Sequence, residues 1–328
     1  MGNASAGRDR TAAARRATVA LVVLVELLLL TAVLVATRRL PGAQPAAGAD
    51  RGRVDIADVP EPGPEPAALP GAATGTYTWN CGHNAEGHRN SANVVASPGK
   101  VPPQLHAHEY VGNLSTDDDS TDASLAAART TCDNGDQSTY FWPVLLVRGA
   151  GMDGHGQVRT PASVVLTFLG NPVAPVVAMP RFLRAAVGNA RALTEPMLAT
   201  SPTWTCSSTP RRRTDGYPRC PAGDQVLRVF EFPSCWDGRR LDSPDHRAHL
   251  VAPGPGGACP HATFPVPRLR MTVAYDVPAG ADFVVDAFPD QNYDSRTDHA
   301  FFISIVPDRV MAQVVRCLNS GRTCSSET

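Results

Sequence analysis

The chain has 328 residues, 43% of them hydrophobic, and a formal charge of −1 from 30 basic and 31 acidic side chains. That balance, with no basic stripe interleaved with aromatics, excludes a protein drawn to nucleic acid by its overall field. The first ~75 residues lack a globular texture, so the length suits one core of about 250 residues better than two.

In chain order, residues 1–16 carry Arg8, Arg10, Arg15 and Arg16, and Ala17 to Thr37 is an apolar run whose one charge is Glu26. At ~1.5 Å rise per residue this run spans about 30 Å, the thickness of a bilayer core. We expect a transmembrane signal anchor at 17–37, with 1–16 as a cytoplasmic tail and the rest outside the plasma membrane. The alternative is a secreted protein cleaved at Leu34-Val35-Ala36. Residues 38–75, rich in Pro, Ala and Gly, read as an extended stalk.

Residues 76–328 alternate short apolar runs with Gly, Pro, Asn and Asp clusters, which predicts many short strands. Expected strands are Tyr140 to Val147, Ser163 to Leu169, Gln225 to Phe232, Leu269 to Val277, Phe283 to Phe288 and Phe301 to Val306. In the fourth, Leu269, Met271, Val273 and Tyr275 alternate with Arg270, Thr272 and Ala274, as in a half-buried antiparallel strand. Short helices are expected at Asp122 to Arg129, with Thr121 as N-cap, and at Val310 to Cys317. The fold class is therefore mainly β: an antiparallel β-sandwich, jelly-roll-like, with long loops and few short helices.

All eight cysteines follow residue 80, as in a domain that folds in an oxidising, extracellular compartment. Nearest-neighbour pairing predicts Cys81 with Cys132, Cys206 with Cys220, Cys235 with Cys259, and Cys317 with Cys324. No CxxC pair occurs, so a thiolate zinc site is not expected. GxSxG, HExxH and P-loop motifs are likewise absent, which removes support for serine hydrolase, zincin and nucleotide readings.

Two segments concentrate the remaining chemistry. Leu105 to Asn113, LHAHEYVGN, places His106 and His108 on one face if it is a strand, close enough to share a metal, with Glu109 turned the other way. Phe232 to His249, FPSCWDGRRLDSPDHRAH, carries Trp236, Asp237, Asp242, Asp245, His246 and His249. His246 and His249 share a face on a helical turn, so a divalent metal held by His106, His108, His246 and His249 is one reading. In the hydrolase reading Glu109, Asp237, Asp242 and Asp245 supply an acid and a base, with His246 and His249 as further catalytic candidates and one carboxyl pKa raised by burial beside Trp236 or by a charged neighbour. In a third, the aspartates spend their oxygens on backbone N–H groups and the loop is only a brace.

The chain also resembles a known family at these residues. Cys235-Trp236-Asp237-Gly238, Leu241-Asp242-Ser243-Pro244-Asp245-His246 with His249, Cys259-Pro260, His106-x-His108, Thr130-Thr131-Cys132 and Tyr140-x-Trp142-Pro143 look like the signatures of the secreted domain of unknown function 1996. That resemblance covers most of residues 80–325 and implies an extracellular or wall-associated protein; the first functional expectation is a cell-envelope carbohydrate-binding or carbohydrate-active domain with a cell-wall glycan as partner. Under it the ligand-binding candidates are His106, His108, Glu109, Trp142, Trp236 and His299. Two departures stand out: Phe264 precedes Pro265 where the family has a His, and His299-Ala300-Phe301-Phe302 replaces a His-Ala-Asp-Phe motif. Phe301 thus stands where a ligand or acid is expected, and Asp298 would substitute only by a one-residue shift that reverses its strand face.

Overall fold

The computed structural model describes residues 52–326 except 66, 100–105, 149–155 and 196–199. The expected anchor at 17–37 lies outside them, as does the first part of the stalk; among the described residues no helix is long and apolar enough to cross a membrane.

Two sheets face each other across one core. The larger contains, in spatial order, β10 (Thr203–Cys206), β12 (Val226–Glu231), β16 (Arg268–Tyr275), β8 (Ser163–Asn171), β2 (Ala73–Trp79) and β19 (Thr323–Ser325). The second contains β3 (Arg89–Asn90), β4 (His108–Gly112), β5 (Thr139–Pro143), β18 (His299–Ile303) and β9 (Arg184–Gly188). Smaller sheets join β17 (Asp282–Val285), β6 (Leu145–Arg148) and β7 (Gln157–Arg159); β14 (Leu250–Val251), β13 (Cys235–Trp236) and β15 (Phe264–Pro265); and β1 (Arg53–Asp55) with β11 (Tyr217–Arg219). All pairings are antiparallel except β1 with β11 and β19 with β2.

The larger sheet follows the expected period of two: Leu269, Met271, Val273 and Tyr275 are buried while Arg268, Arg270 and Thr272 reach its outer face. The middle strands of the second sheet, β4, β5 and β18, are buried on both faces. Tyr140, Trp142 and Phe302 join the core between the sheets. Tyr110, Phe141 and Phe301 pack the other way, under Val94, Val95 and Leu125. An outer cover of this kind explains why these strands read as continuous apolar runs.

The expected strand at 140–147 is two. Pro143 has no N–H for the ladder, and after it the chain leaves the second sheet and pairs as β6 with β17. Helix α1 (Asp122–Ala127) starts at Thr121, whose side chain accepts from the Ser124 N–H in a capping box. Helix α2 (Asp308–Asn319) buries Val310, Met311, Val314, Cys317 and Leu318 along one stripe against β2. Gly75 permits that approach: a Cβ there would lie 2.5 Å from the Cys317 carbonyl oxygen.

All four expected disulfides are present, Cys81–Cys132, Cys206–Cys220, Cys235–Cys259 and Cys317–Cys324, and no cysteine is free, consistent with an extracellular or secreted protein. Strand β1, within the stretch read as stalk, runs in register beside β11. Its Arg53 guanidinium pairs with Asp282 and lies over Phe283, 4.3 Å from the ring centroid. Part of the stretch read as stalk is thus packed against the domain through Arg53–Asp55.

Candidate metal centre

Sheet register gathers three histidines at one place on the second sheet. His108 on β4 stands opposite Pro143 on β5, and Phe301 on β18 stands opposite Phe141. His299, two residues before Phe301, is therefore level with Pro143 on the same face. The strands flanking β5 are about 10 Å apart, a gap two imidazoles can close above a proline. In the next row Tyr110, Phe141 and Phe301 stack with ring centroids 5.1 and 5.0 Å apart and form an aromatic floor. His106, two residues before His108, adds a third imidazole from the same side.

The three Nε2 atoms converge: His106 to His299 is 3.0 Å, His106 to His108 is 3.1 Å and His108 to His299 is 3.3 Å. All three residues are buried, at 2–3% exposure. Imidazole nitrogens about 2.0–2.1 Å from a tetrahedral zinc would be about 3.3 Å apart, so the triangle fits one ion with a fourth position left over.

Proton accounting points the same way. The Thr297 carbonyl can only accept, so His299 Nδ1, 2.8 Å away, carries the proton and Nε2 presents its lone pair inward. His106 and His108 have no partner of ordinary geometry at Nδ1. One lone pair accepts one good hydrogen bond, so neutral tautomers of three nitrogens leave at least one close pair unbonded. Extra protons do not solve this. Burial, aided by the positive charge of Arg191, pushes His106 down to about 4, and burial with neighbouring imidazoles and arginines holds His108 and His299 well below the usual histidine range. Neutral imidazoles with inward lone pairs are what a transition metal binds.

Acids fix the backbone around the ligands, Asp286 half-buried and Asp298 fully buried. Ala107, between two of the histidines, donates its N–H to Asp286 Oδ2 at 2.8 Å, and its carbonyl accepts from the Val144 N–H at 3.0 Å. Asp298, next to His299, accepts from the His299 N–H at 2.8 Å and forms a fully buried pair with Arg228. Burial opposes the Arg228 charge, but Asp298 and the Tyr275 hydroxyl raise its pKa overall and keep it protonated. Glu109, next to His108, points into the sandwich and accepts from Tyr275 Oη at 2.7 Å and Trp142 Nε1 at 2.9 Å. Tyr275 also receives a bond from Arg228 at 3.2 Å, so one buried network joins the residues beside two ligands. Gly188, at the end of β9, lets that strand pass close to the third ligand: a Cβ there would lie 2.6 Å from His299 Cα.

The expected sites are thus redistributed. His106, His108 and His299 come together, with Glu109 facing away as predicted. His246 and His249 do not join them. His249 is buried, yet its Nδ1 meets Ser243 Oγ at 2.8 Å and its Nε2 the Arg184 carbonyl at 2.7 Å, while His246 Nδ1 is 3.0 Å from Asp242. Asp237 accepts from the Arg239 and Arg240 N–H groups, both at 2.9 Å, and Asp245 from those of Arg247 and Ala248. Of the carboxyls in the hydrolase reading, burial raises Glu109, whereas Asp237 and Asp245 are lowered. At Asp237 slight burial works the other way, but the Arg240 N–H and guanidinium bring it to about 2; at Asp245 the Ala248 N–H leads.

Trp142 is enclosed, and the Trp236 indole N–H donates to the Arg240 carbonyl at 2.7 Å. Phe301 occupies the face expected for an acid, 5.4 Å from His299 between ring centroids, and Asp298 does not replace that acid because Arg228 holds it. The loop of residues 232–249 borders the edge of the site's sheet, since the Arg184 N–H donates to the Leu241 carbonyl. Arg228, Tyr275 and Asp286 were not among the expected site residues. An arginine inside the apolar strand Gln225 to Phe232 was the available signal, because a buried guanidinium needs a buried acid.

A family model described as Domain of unknown function (DUF1996) matches residues 94–304, a stretch containing all three converging histidines. No curated protein and no solved structure matches the chain.

Proposed function

The chain belongs to the DUF1996 family, and we propose that its extracellular domain binds one divalent transition-metal ion through Nε2 of His106, His108 and His299, leaving a position for an exogenous ligand. The mutual approach of three buried, neutral imidazole nitrogens to 3.0–3.3 Å carries this reading. When bound, such an ion supplies Lewis acidity to whatever occupies the open position. The protein's own part is to orient the ligands: the Thr297 carbonyl fixes the His299 tautomer, and Asp286 pins the backbone between His106 and His108. Membrane attachment through 17–37 belongs to the proposal on the strength of its apolar length, and a glycan partner rests on the sequence resemblance.

Metal analysis of the full-length chain tests the reading. After chelator treatment and equilibration with zinc, cobalt or copper, we expect about one equivalent of metal per chain, retained by His249→Ala and lost by His299→Ala. Less than about 0.2 equivalent under every metal would overturn it.

A further inference from the structure

The charges around the three histidines define what the open position should take. Neutral imidazoles bring no negative charge to a divalent ion, and an uncompensated double charge is costly in a buried site. The nearby carboxylates are already committed. Asp298 is paired with Arg228, and Glu109 receives Tyr275 and Trp142 with Arg89 3.6 Å away; Asp286 keeps its charge but spends Oδ2 on the Ala107 N–H.

The other charged groups that bear on the ligands are arginines. The Arg191 guanidinium lies over Phe288, 4.4 Å from its centroid, and that ring meets His106 edge-on at 4.6 Å. Arg191 is 42% exposed and only loosely paired, 3.5 Å from Asp290 and 3.9 Å from Glu195. On the other side Arg247 donates to the Gly188 carbonyl at 2.6 Å, and Gly188 is the residue opposite His299.

We propose that the fourth position of this site binds a small oxyanion, a carboxylate or phosphate group, drawn in by Arg191 and Arg247. This rests on the metal-binding reading above. The anion supplies the charge the histidines lack, and guanidinium groups favour planar or tetrahedral oxyanions over neutral ligands. With the three histidines almost fully covered, the anion is a small terminal group rather than a bulky ligand.

The test uses the full-length chain loaded with cobalt, whose visible spectrum reports the coordination shell. Metal stoichiometry is measured first, so failure of the metal reading, which would also overturn this proposal, is seen separately. Acetate and inorganic phosphate are then titrated, with imidazole as a neutral competitor. Saturable spectral shifts with both anions are expected. Arg191→Gln and Arg247→Gln should each weaken anion binding about fivefold at unchanged cobalt stoichiometry, and Arg191→Lys should restore most of the loss. Stoichiometric cobalt with a spectrum that neither anion alters, or anion affinity indifferent to both Gln variants, would overturn the proposal. If Arg247→Gln is recovered unfolded by circular dichroism, Arg191→Gln and its Lys rescue decide the matter alone.

Discussion

The loop Phe232 to His249 and the face shared by β4 and β18 both gather histidines and carboxylates, and they use them in opposite ways. In the loop each polar group faces a local partner: Asp237 and Asp245 cap turns, and His249 joins Ser243 to the Arg184 carbonyl. On the sheet, three nitrogens from residues 106, 108 and 299 point at one another, and two of the rings have no partner of ordinary geometry at Nδ1. Polar density along a sequence marks a segment that must satisfy itself. A ligand site is marked instead by groups that converge and are left unsatisfied.

The sharpest way to break this contrast is to delete one imidazole from each region. His299→Ala should lower zinc affinity by more than about 100-fold, measured by competition with a chromophoric chelator, whereas His246→Ala should change it by less than about twofold. Equal losses would show that the loop reaches the ion and that the two regions are one site. The next largest effect concerns the support below the ligands. Asp298→Asn strands the Arg228 charge in the core and should cost about 3–5 kcal/mol in urea unfolding, far more than any single acid of the loop. His249→Ala comes third: it leaves Ser243 and the Arg184 carbonyl short of a partner inside the fold, for about 1–3 kcal/mol, with metal stoichiometry unchanged.

How far these regions could be read from sequence follows from the range of their interactions. The period of two in β16 and the Thr121 cap depend on near neighbours and were legible; the disulfides follow chain order, but Cys81 and Cys132 lie 51 residues apart and spacing does not dictate their pairing. The pairing of His106 with His108 was legible for the same reason, since residues two apart on an extended chain share a face. His299 was not placed by spacing. It lies nearly two hundred residues away and entered only through a motif resemblance; what brings it to His108 is the register of β4, β5 and β18 around Pro143. The loop was open to more than one reading for the converse reason: a cysteine, a tryptophan and alternating acids look like a site, while Asp-x-Arg and Asp-x-x-Ala spacings are those of side chains folding back onto their own backbone.

The smallest expected effect tests the loop as a brace. Asp237 is lowered to about 2 by the Arg240 N–H and guanidinium acting against slight burial, so its carboxylate is bound more favourably in the folded chain than in the unfolded one. A group depressed on folding stabilises fully above its unfolded value, near 3.8, and loses that contribution as pH falls toward about 2. Because this carboxylate lies at the surface, screening keeps the effect below about 1 kcal/mol. Asp237→Asn should therefore be slightly less stable than the parent chain at pH 6, and the two unfolding curves should approach each other between pH 4 and about pH 2. Metal affinity at pH 7 should be the same in both. A gap that instead widens on acidification would mean that the Asp237 carboxyl is bound in its protonated form, as an acid catalyst would be, and would return the loop to the list of reactive sites.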